Sequence, residues 1–173
     1  MTYQMPNPAI EGWMGPDELD WLYQRAQEME SIVEIGSWKG RSAHALCSGC
    51  PGMVYTVEHF KGNPNELQGA HREATERDIS IDFANNMKGF QNLKLLRMDS
   101  VEAAKQFQPA SIDMVFIDGC HVYEHVMADL KAWRPICKKL LCGHDYSSVD
   151  RALRDFGIAT CERPVGQIWS YKV

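Results

Sequence analysis

Nothing in this chain approaches the run of roughly eighteen consecutive apolar residues that a membrane-spanning helix needs, so no span is expected. Positive charge is scarce as well. The formal net charge is −5, and the Lys and Arg residues are scattered rather than striped along one face, which argues against a nucleic-acid partner. The opening residues, Met-Thr-Tyr-Gln-Met-Pro-Asn-Pro, contain no basic segment leading into an apolar core, so no secretion leader is expected and the cytoplasm is the expected compartment. No linker-like stretch divides the 173 residues, a length that suits one domain, 1–173, with a core of its own.

Without a leader, the 6 cysteines (Cys47, Cys50, Cys120, Cys137, Cys142, Cys161) are expected as reduced thiols rather than as a disulfide framework. Cys47-x-x-Cys50, with His44 before it and His59 beyond, has the residue types of a zinc site. Ala43, Leu46, Cys47 and Cys50 also fall at helical spacing on one face, where thiols serve as small core residues.

What is present centres on Ser31 to Ser42. Ile32, Val33 and Ile35 form the short apolar run of a strand buried on both faces, and Gly36 ends it. Gly36 and Gly40 bracket a turn that would let backbone approach a ligand, and Arg41-Ser42 opens a run with helical spacing. The pattern is Glu-x-Gly-x-x-x-Gly, with Trp38 where a dinucleotide fingerprint has its middle glycine.

Residues 1–30 read as a proline-bearing arm followed by a helix capped at Asp17, with Leu19, Leu22, Tyr23, Ala26 and Met29 at helical spacing. Trp13 and Met14 in the arm need cover, and could lid something. Beyond the Arg41 helix, strands are expected over 53–57, 93–98, 112–117 and 139–142, with helices between them marked by Ile79, Phe83, Met87 and Phe90, by Ala103, Ala104 and Phe107 behind a Ser100 cap, and by Val126, Met127, Leu130 and Trp133. The polar stretch 59–77 is expected as a loop that caps a substrate pocket. A helix from Ser148 to Phe156 and a hairpin around Pro164-Val165-Gly166 complete the chain. The expected fold is α/β, with seven strands, mostly parallel, helices on both faces, a C-terminal antiparallel hairpin, and a ligand crevice at the strands' carboxyl ends.

The residues just past each strand carry the chemistry. Each alone suits a turn or a helix cap, but in a parallel sheet all of them share one edge. Glu58 could accept two hydrogen bonds from a ribose diol, and Asp99 with Ser100 could bond an adenine edge. Asp118, His144 and Asp145 suit a divalent cation such as magnesium or manganese, and His121 is the residue type best tuned to take a proton near neutral pH.

With Glu34-x-Gly36-x-x-x-Gly40-Arg-Ser, the acid at 58, Asp118-Gly-Cys-His121 and Gly143-His144-Asp145-Tyr146 in place, the chain resembles a class I S-adenosylmethionine-dependent methyltransferase. More narrowly it is similar to the small bacterial branch related to macrolide sugar O-methyltransferases and cephalosporin-hydroxylase-like proteins. The resemblance implies a Rossmann-like sheet. It implies that Glu34, Gly36, Ser37, Gly40 and Ser42 hold the methionine end of S-adenosylmethionine, Glu58 its ribose, and Asp99 and Ser100 its adenine. Asp118 would border the cofactor and, with His144 and Asp145, hold a metal; His121 would be the base. Metal-binding relatives tend to have an acid where His144 stands, and the glycine pair that usually leads into the fifth strand is missing. The acceptor would be a hydroxylated small molecule, a sugar or a phenol, with a second copy of the chain able to complete the pocket. Two rival readings share the crevice: a nucleotide-cofactor oxidoreductase, and a cofactor-binding subunit without transferase activity.

Overall fold

The computed structural model describes residues 2–7, 9–62 and 70–173. Strands β1 (Ser31–Ile35), β2 (Met53–Val57), β3 (Leu93–Leu96), β4 (Ile112–Ile117), β5 (Cys137–Gly143) and β6 (Trp169–Lys172) form one sheet in the order β3-β2-β1-β4-β5-β6. β1 pairs in parallel with β2 and β4, β2 with β3, and β4 with β5; β6 runs antiparallel to β5. Every residue of β4 is buried, as its unbroken apolar run requires at the centre of a sheet covered on both faces.

Alternation of side chains along the strands sorts the core into two layers. Ile32, Met114, Phe116 and Cys142 pack with Leu19 and Leu22 of α1 (Pro16–Ala26), with Ala43 and Leu46 of α2 (Arg41–Gly49), and with Phe83 of α4 (Ser80–Asn86). Val33, Ile35, Val115 and Leu141 pack on the other face against Ala103 of α5 (Ser100–Ala104), Leu130 and Trp133 of α6 (Tyr123–Trp133), and Val149 and Leu153 of α7 (Tyr146–Phe156). α3 (Ala70–Glu76) lies between β2 and α4 in the chain.

Among the described residues six strands are found where seven were expected. The missing one is reduced to a single antiparallel bridge, Glu162 with Ser170. Its backbone donors are committed elsewhere: Ile158 N–H bonds Leu153 O at 3.0 Å past the left-handed Gly157, and Cys161 N–H bonds Ile158 O at 3.1 Å. Pro164 then offers no N–H at all. Helix starts also differ. α1 begins at Pro16 behind Gly15, whose N–H donates to Glu18 Oε2 at 2.8 Å, so Asp17 lies inside the first turn. The 59–77 stretch contains α3, and its residues 63–69 lie outside the described residues. Among the described residues no helix is long and apolar enough to cross a membrane.

Among the described residues no cysteine is in a disulfide, and Cys47, Cys50, Cys137 and Cys142 are buried. His44 Nδ1 meets Tyr3 Oη at 2.8 Å, and Cys50 Sγ points to Met29 O at 3.1 Å. Among the described residues the Cys47–Cys50–His44 group does not gather ligand atoms as a metal site would, and these thiols fill core.

Candidate cofactor and catalytic site

A cavity of about 660 Å³ opens at the carboxyl edge of the parallel strands, a size that suits a small-molecule cofactor with room beside it. Glu58, Asp118 and His144, drawn from three strand ends, all line it. So do Gly36, Ser37 and Ser42 of the turn, Asp99 and Ser100 past β3, and His121 and Asp145. Glu34 and Gly40 do not: they lie behind the wall.

The turn explains why. Gly36 has φ +85°, and a Cβ there would stand 2.2 Å from Asp118 O, so the ends of β1 and β4 meet only because this residue has no side chain. Trp38, in the middle-glycine position, also adopts a left-handed conformation at φ 44°, unusual for a bulky residue. Its N–H donates to Glu58 Oε2 at 3.1 Å, while Phe60 N–H donates to Glu58 Oε1 at 2.7 Å. Each oxygen thus keeps acceptor capacity toward the cavity. Gly40, at φ 93°, caps α2. Glu34 shares the Ile32 face of β1 and is fully buried beneath the turn, and among the described residues only the nearby Ser37 and Ser42 hydroxyls are placed to engage it. Burial pushes its carboxyl up to about 7, against a smaller lowering by the Ser37 and Ser42 hydroxyls.

Past β4 and β5 lies a charged group that the sequence foreshadowed only in part. His121 Nε2 is 2.8 Å from Asp145 Oδ2. The same oxygen lies 3.2 Å from His144 Nδ1, which is 3.7 Å from Asp118 Oδ1. On its other side His144 Nε2 meets Glu18 Oε1 at 3.0 Å, and that oxygen also accepts from Gln167 N–H at 2.8 Å. Burial alone would lower the His144 pKa, but Asp145, Asp118 and Glu18 together raise it to about 9. Burial likewise pushes Asp118 up to about 7, with His144 opposing. Asp145 goes the other way: burial is outweighed by hydrogen bonds from His121 and His144, which hold it well below the usual carboxylate range.

His144, expected as a ligand beside Asp118 and Asp145, has both ring nitrogens against carboxylates here, Nε2 against Glu18 and Nδ1 against Asp145. The groups whose ligand atoms converge, all within 4.8 Å of one another, are Asp118, His121 and Asp145.

At the β3 end, Asp99 rather than Ser100 is the helix cap: its Oδ1 accepts from Val101 N–H at 2.9 Å and Glu102 N–H at 3.2 Å. Ser100 Oγ instead accepts from Trp133 Nε1 at 2.8 Å.

The arm roofs the cavity. Lys39 Nζ bridges Glu11 Oε2 at 2.8 Å and Glu73 Oε2 at 2.7 Å, while Arg41 Nε donates to Met14 O at 2.9 Å. Trp13 packs against Trp38 with ring centroids 4.6 Å apart and the rings tilted by 43°, and Met14 is buried.

The family described as a methyltransferase domain matches residues 33–155, more than half of the chain. This chain belongs to that methyltransferase domain family. The resemblance carried by Glu34 to Ser42, Glu58, Asp118 to His121 and Gly143 to Tyr146 is borne out at this level, and the sheet is the Rossmann-like one it implied. The methyltransferase domain is 28% identical over 120 residues to the uncharacterized protein y4gI of Sinorhizobium fredii; the match covers 66% of this chain and 12% of that protein. Its fold is similar to that of the cofactor-bound protein Rv0187 from MTB (TM-score 0.66, 15% identity, 91% of this chain and 80% of that one). It is also similar to an O-methyltransferase from Bacillus cereus in complex with SAH (TM-score 0.59, 18% identity, 93% and 82%).

Sequence reading missed Glu18 and Asp129. Glu18 gave no signal, because its partner His144 is 126 residues away. Asp129 did: it is an acid on the apolar face of α6, three residues from Val126 and next to Leu130.

Proposed function

We propose that this methyltransferase domain transfers a methyl group from S-adenosylmethionine to a hydroxyl of a small molecule, with His121 as the base. The observation that carries the reading is the His121–Asp145 contact of 2.8 Å, in the same cavity as a Glu58 carboxylate already aimed by two backbone N–H groups. The residues fit the cofactor. Glu58 retains acceptor capacity for a ribose diol, and Gly36, Ser37 and Ser42 of the turn expected to hold the methionine end line the cavity. Bound there, S-adenosylmethionine supplies a methyl on a sulfonium that is its own leaving group.

The chain's own residues then position the acceptor and move one proton. His121 takes the hydroxyl proton as the new O–C bond forms and the S–CH3 bond breaks, and Asp145 stabilises the resulting imidazolium. The arm, held down by Lys39 and Arg41, covers one side of the cavity.

A divalent ion is the finer part of this proposal. Asp118 and Asp145 would supply carboxylate oxygens to magnesium or manganese, which would lower the pKa of an acceptor hydroxyl and leave His121 as the base.

The test is titration of the protein with S-adenosylmethionine, with and without magnesium, followed by a screen of sugars and phenols for release of S-adenosylhomocysteine. Binding without turnover on any acceptor favours a cofactor-binding subunit. Binding of NAD in place of S-adenosylmethionine favours an oxidoreductase and overturns the proposal.

A further inference from the structure

Glu18, in the first turn of α1, is a buried acid that the mechanism above leaves unused. Its Oε2 accepts from Gly15 N–H at 2.8 Å; its Oε1 accepts from Gln167 N–H at 2.8 Å and meets His144 Nε2 at 3.0 Å. Gly166 makes room for it, since a Cβ there would stand 2.2 Å from the same Oε1. With two backbone N–H groups aimed at it, this carboxylate is an acceptor toward every neighbour, so the hydrogen of the His144 contact sits on Nε2.

That direction decides what the other side of the ring can do. His144 is 7% exposed, its backbone N–H donates to Ile117 O at 3.1 Å, and its carbonyl accepts from Trp169 Nε1 at 3.2 Å, so the residue is held in place. Its Nδ1 lies 3.2 Å from Asp145 Oδ2 and 3.7 Å from Asp118 Oδ1. Donor atoms bonded to one ion at about 2.1 Å lie about 3.0–3.4 Å apart, so these three groups stand close to the spacing of a ligand set.

An imidazole that gives one ring hydrogen to a carboxylate presents its second nitrogen to a metal with its tautomer and direction fixed. An ion bound there takes the place of a proton on Nδ1, and the Asp145 lone pair that faces Nδ1 turns to the ion. One nitrogen with two carboxylate oxygens suits the first-row transition ions, whereas magnesium is held by oxygens.

We propose that Glu18 is a positioning residue of a metal site: it keeps the hydrogen of His144 on Nε2, so that Nδ1, Asp118 and Asp145 together bind a first-row transition ion in preference to magnesium. This rests on the divalent-ion part of the function proposed above. His121, 2.8 Å from Asp145, stays the base.

The experiment is calorimetric titration with manganese, with magnesium and with S-adenosylhomocysteine, beside electron spin echo spectroscopy of the bound manganese. The wild type is expected to bind manganese at least about 10-fold more tightly than magnesium, and its echo should carry the modulation of a directly bound nitrogen. His144→Ala should lose that modulation and His121→Ala should keep it. In Glu18→Gln the carboxamide can present an N–H to Nε2, which moves the ring hydrogen to Nδ1. Manganese should then bind about 10- to 100-fold more weakly, with magnesium changed by less than about 3-fold and S-adenosylhomocysteine bound as before. A purely structural role for Glu18 would weaken all three alike.

No nitrogen modulation in the wild type, its loss in His121→Ala rather than in His144→Ala, or an unchanged manganese affinity in Glu18→Gln overturns the proposal. Binding of S-adenosylhomocysteine without manganese binding also overturns it and leaves the methyltransferase reading in place. Absence of S-adenosylhomocysteine binding removes that reading, and with it the role of the ion. Should thermal unfolding show that Glu18→Gln does not fold, Glu18→Ala carries the same comparison, with the same selective loss of manganese expected.

Discussion

Trp38 donates its backbone N–H to the Glu58 carboxylate at 3.1 Å, and this bond joins the turn after β1 to the end of β2. Trp38 is held in a left-handed conformation that a bulky side chain disfavours. The carboxylate therefore has two tasks: anchoring a strained turn and facing the cavity.

Glu58→Ala should weaken S-adenosylmethionine binding by roughly 1–3 kcal/mol, the range for lost buried hydrogen bonds. It should also lower Tm, because the Trp38 and Phe60 N–H groups lose their acceptor. Calorimetry and thermal unfolding read the two effects separately; an unchanged Kd would reject the ribose assignment.

His121→Ala should leave cofactor binding intact and lower turnover by about 10²- to 10⁴-fold, the usual contribution of a positioned base. Asp145→Asn should show a similar pattern in milder form, since asparagine tolerates the left-handed backbone at residue 145 (φ 52°) but cannot stabilise an imidazolium. Single-turnover rates beside S-adenosylhomocysteine affinity separate chemistry from binding.

Glu34 governs a pH dependence of stability. Its folded pKa, about 7, lies above the unfolded value of 4.5, so the folded state holds the proton more tightly. Stability from this group is fully present below pH 4.5, declines between 4.5 and 7, and is lost above 7. Glu34→Gln should therefore raise Tm at pH 8 and leave it nearly unchanged at pH 4. Urea unfolding at both pH values checks the sign, and a variant less stable at pH 8 would show that the carboxylate is not penalised there.

Lys39→Met should loosen the arm. The lysine is 6% exposed at its side chain and bridges Glu11 of the arm to Glu73 of α3. Because Glu11 is 65% exposed, its share is screened, and a total cost of roughly 1–2 kcal/mol is expected. Faster proteolysis around residues 10–14, with Asp145→Asn unaffected in the same assay, would tie the loss to the arm.

Strand positions were legible wherever the local pattern carried the physics. β1, β2 and β4 begin and end where apolar or β-branched runs meet an acid or a glycine. β5 extends further than its apolar run, from Cys137 to Gly143, because Lys138 and Lys139 lie on an exposed end where Lys139 Nζ reaches Asp113 Oδ2 at 2.9 Å. Such pairing is not visible in a hydropathy pattern. The would-be seventh strand failed for a similar reason: its apolar residues were present, but its N–H groups were taken by turns.

At the site, the sequence alone determined which edge would be chemical. Parallel order brings the residues after β1 to β5 to one rim, so Glu58, Asp118, His121 and Asp145 had to gather there. Which of them touch was decided by tertiary structure. Glu18 reaches His144 Nε2 from α1, and Trp133 of α6 engages Ser100 past β3. Periodicity reports which face a residue occupies because burial is a property of one element. Protonation and hydrogen-bond partnership belong to pairs, and the partners here come from helices far apart in the chain.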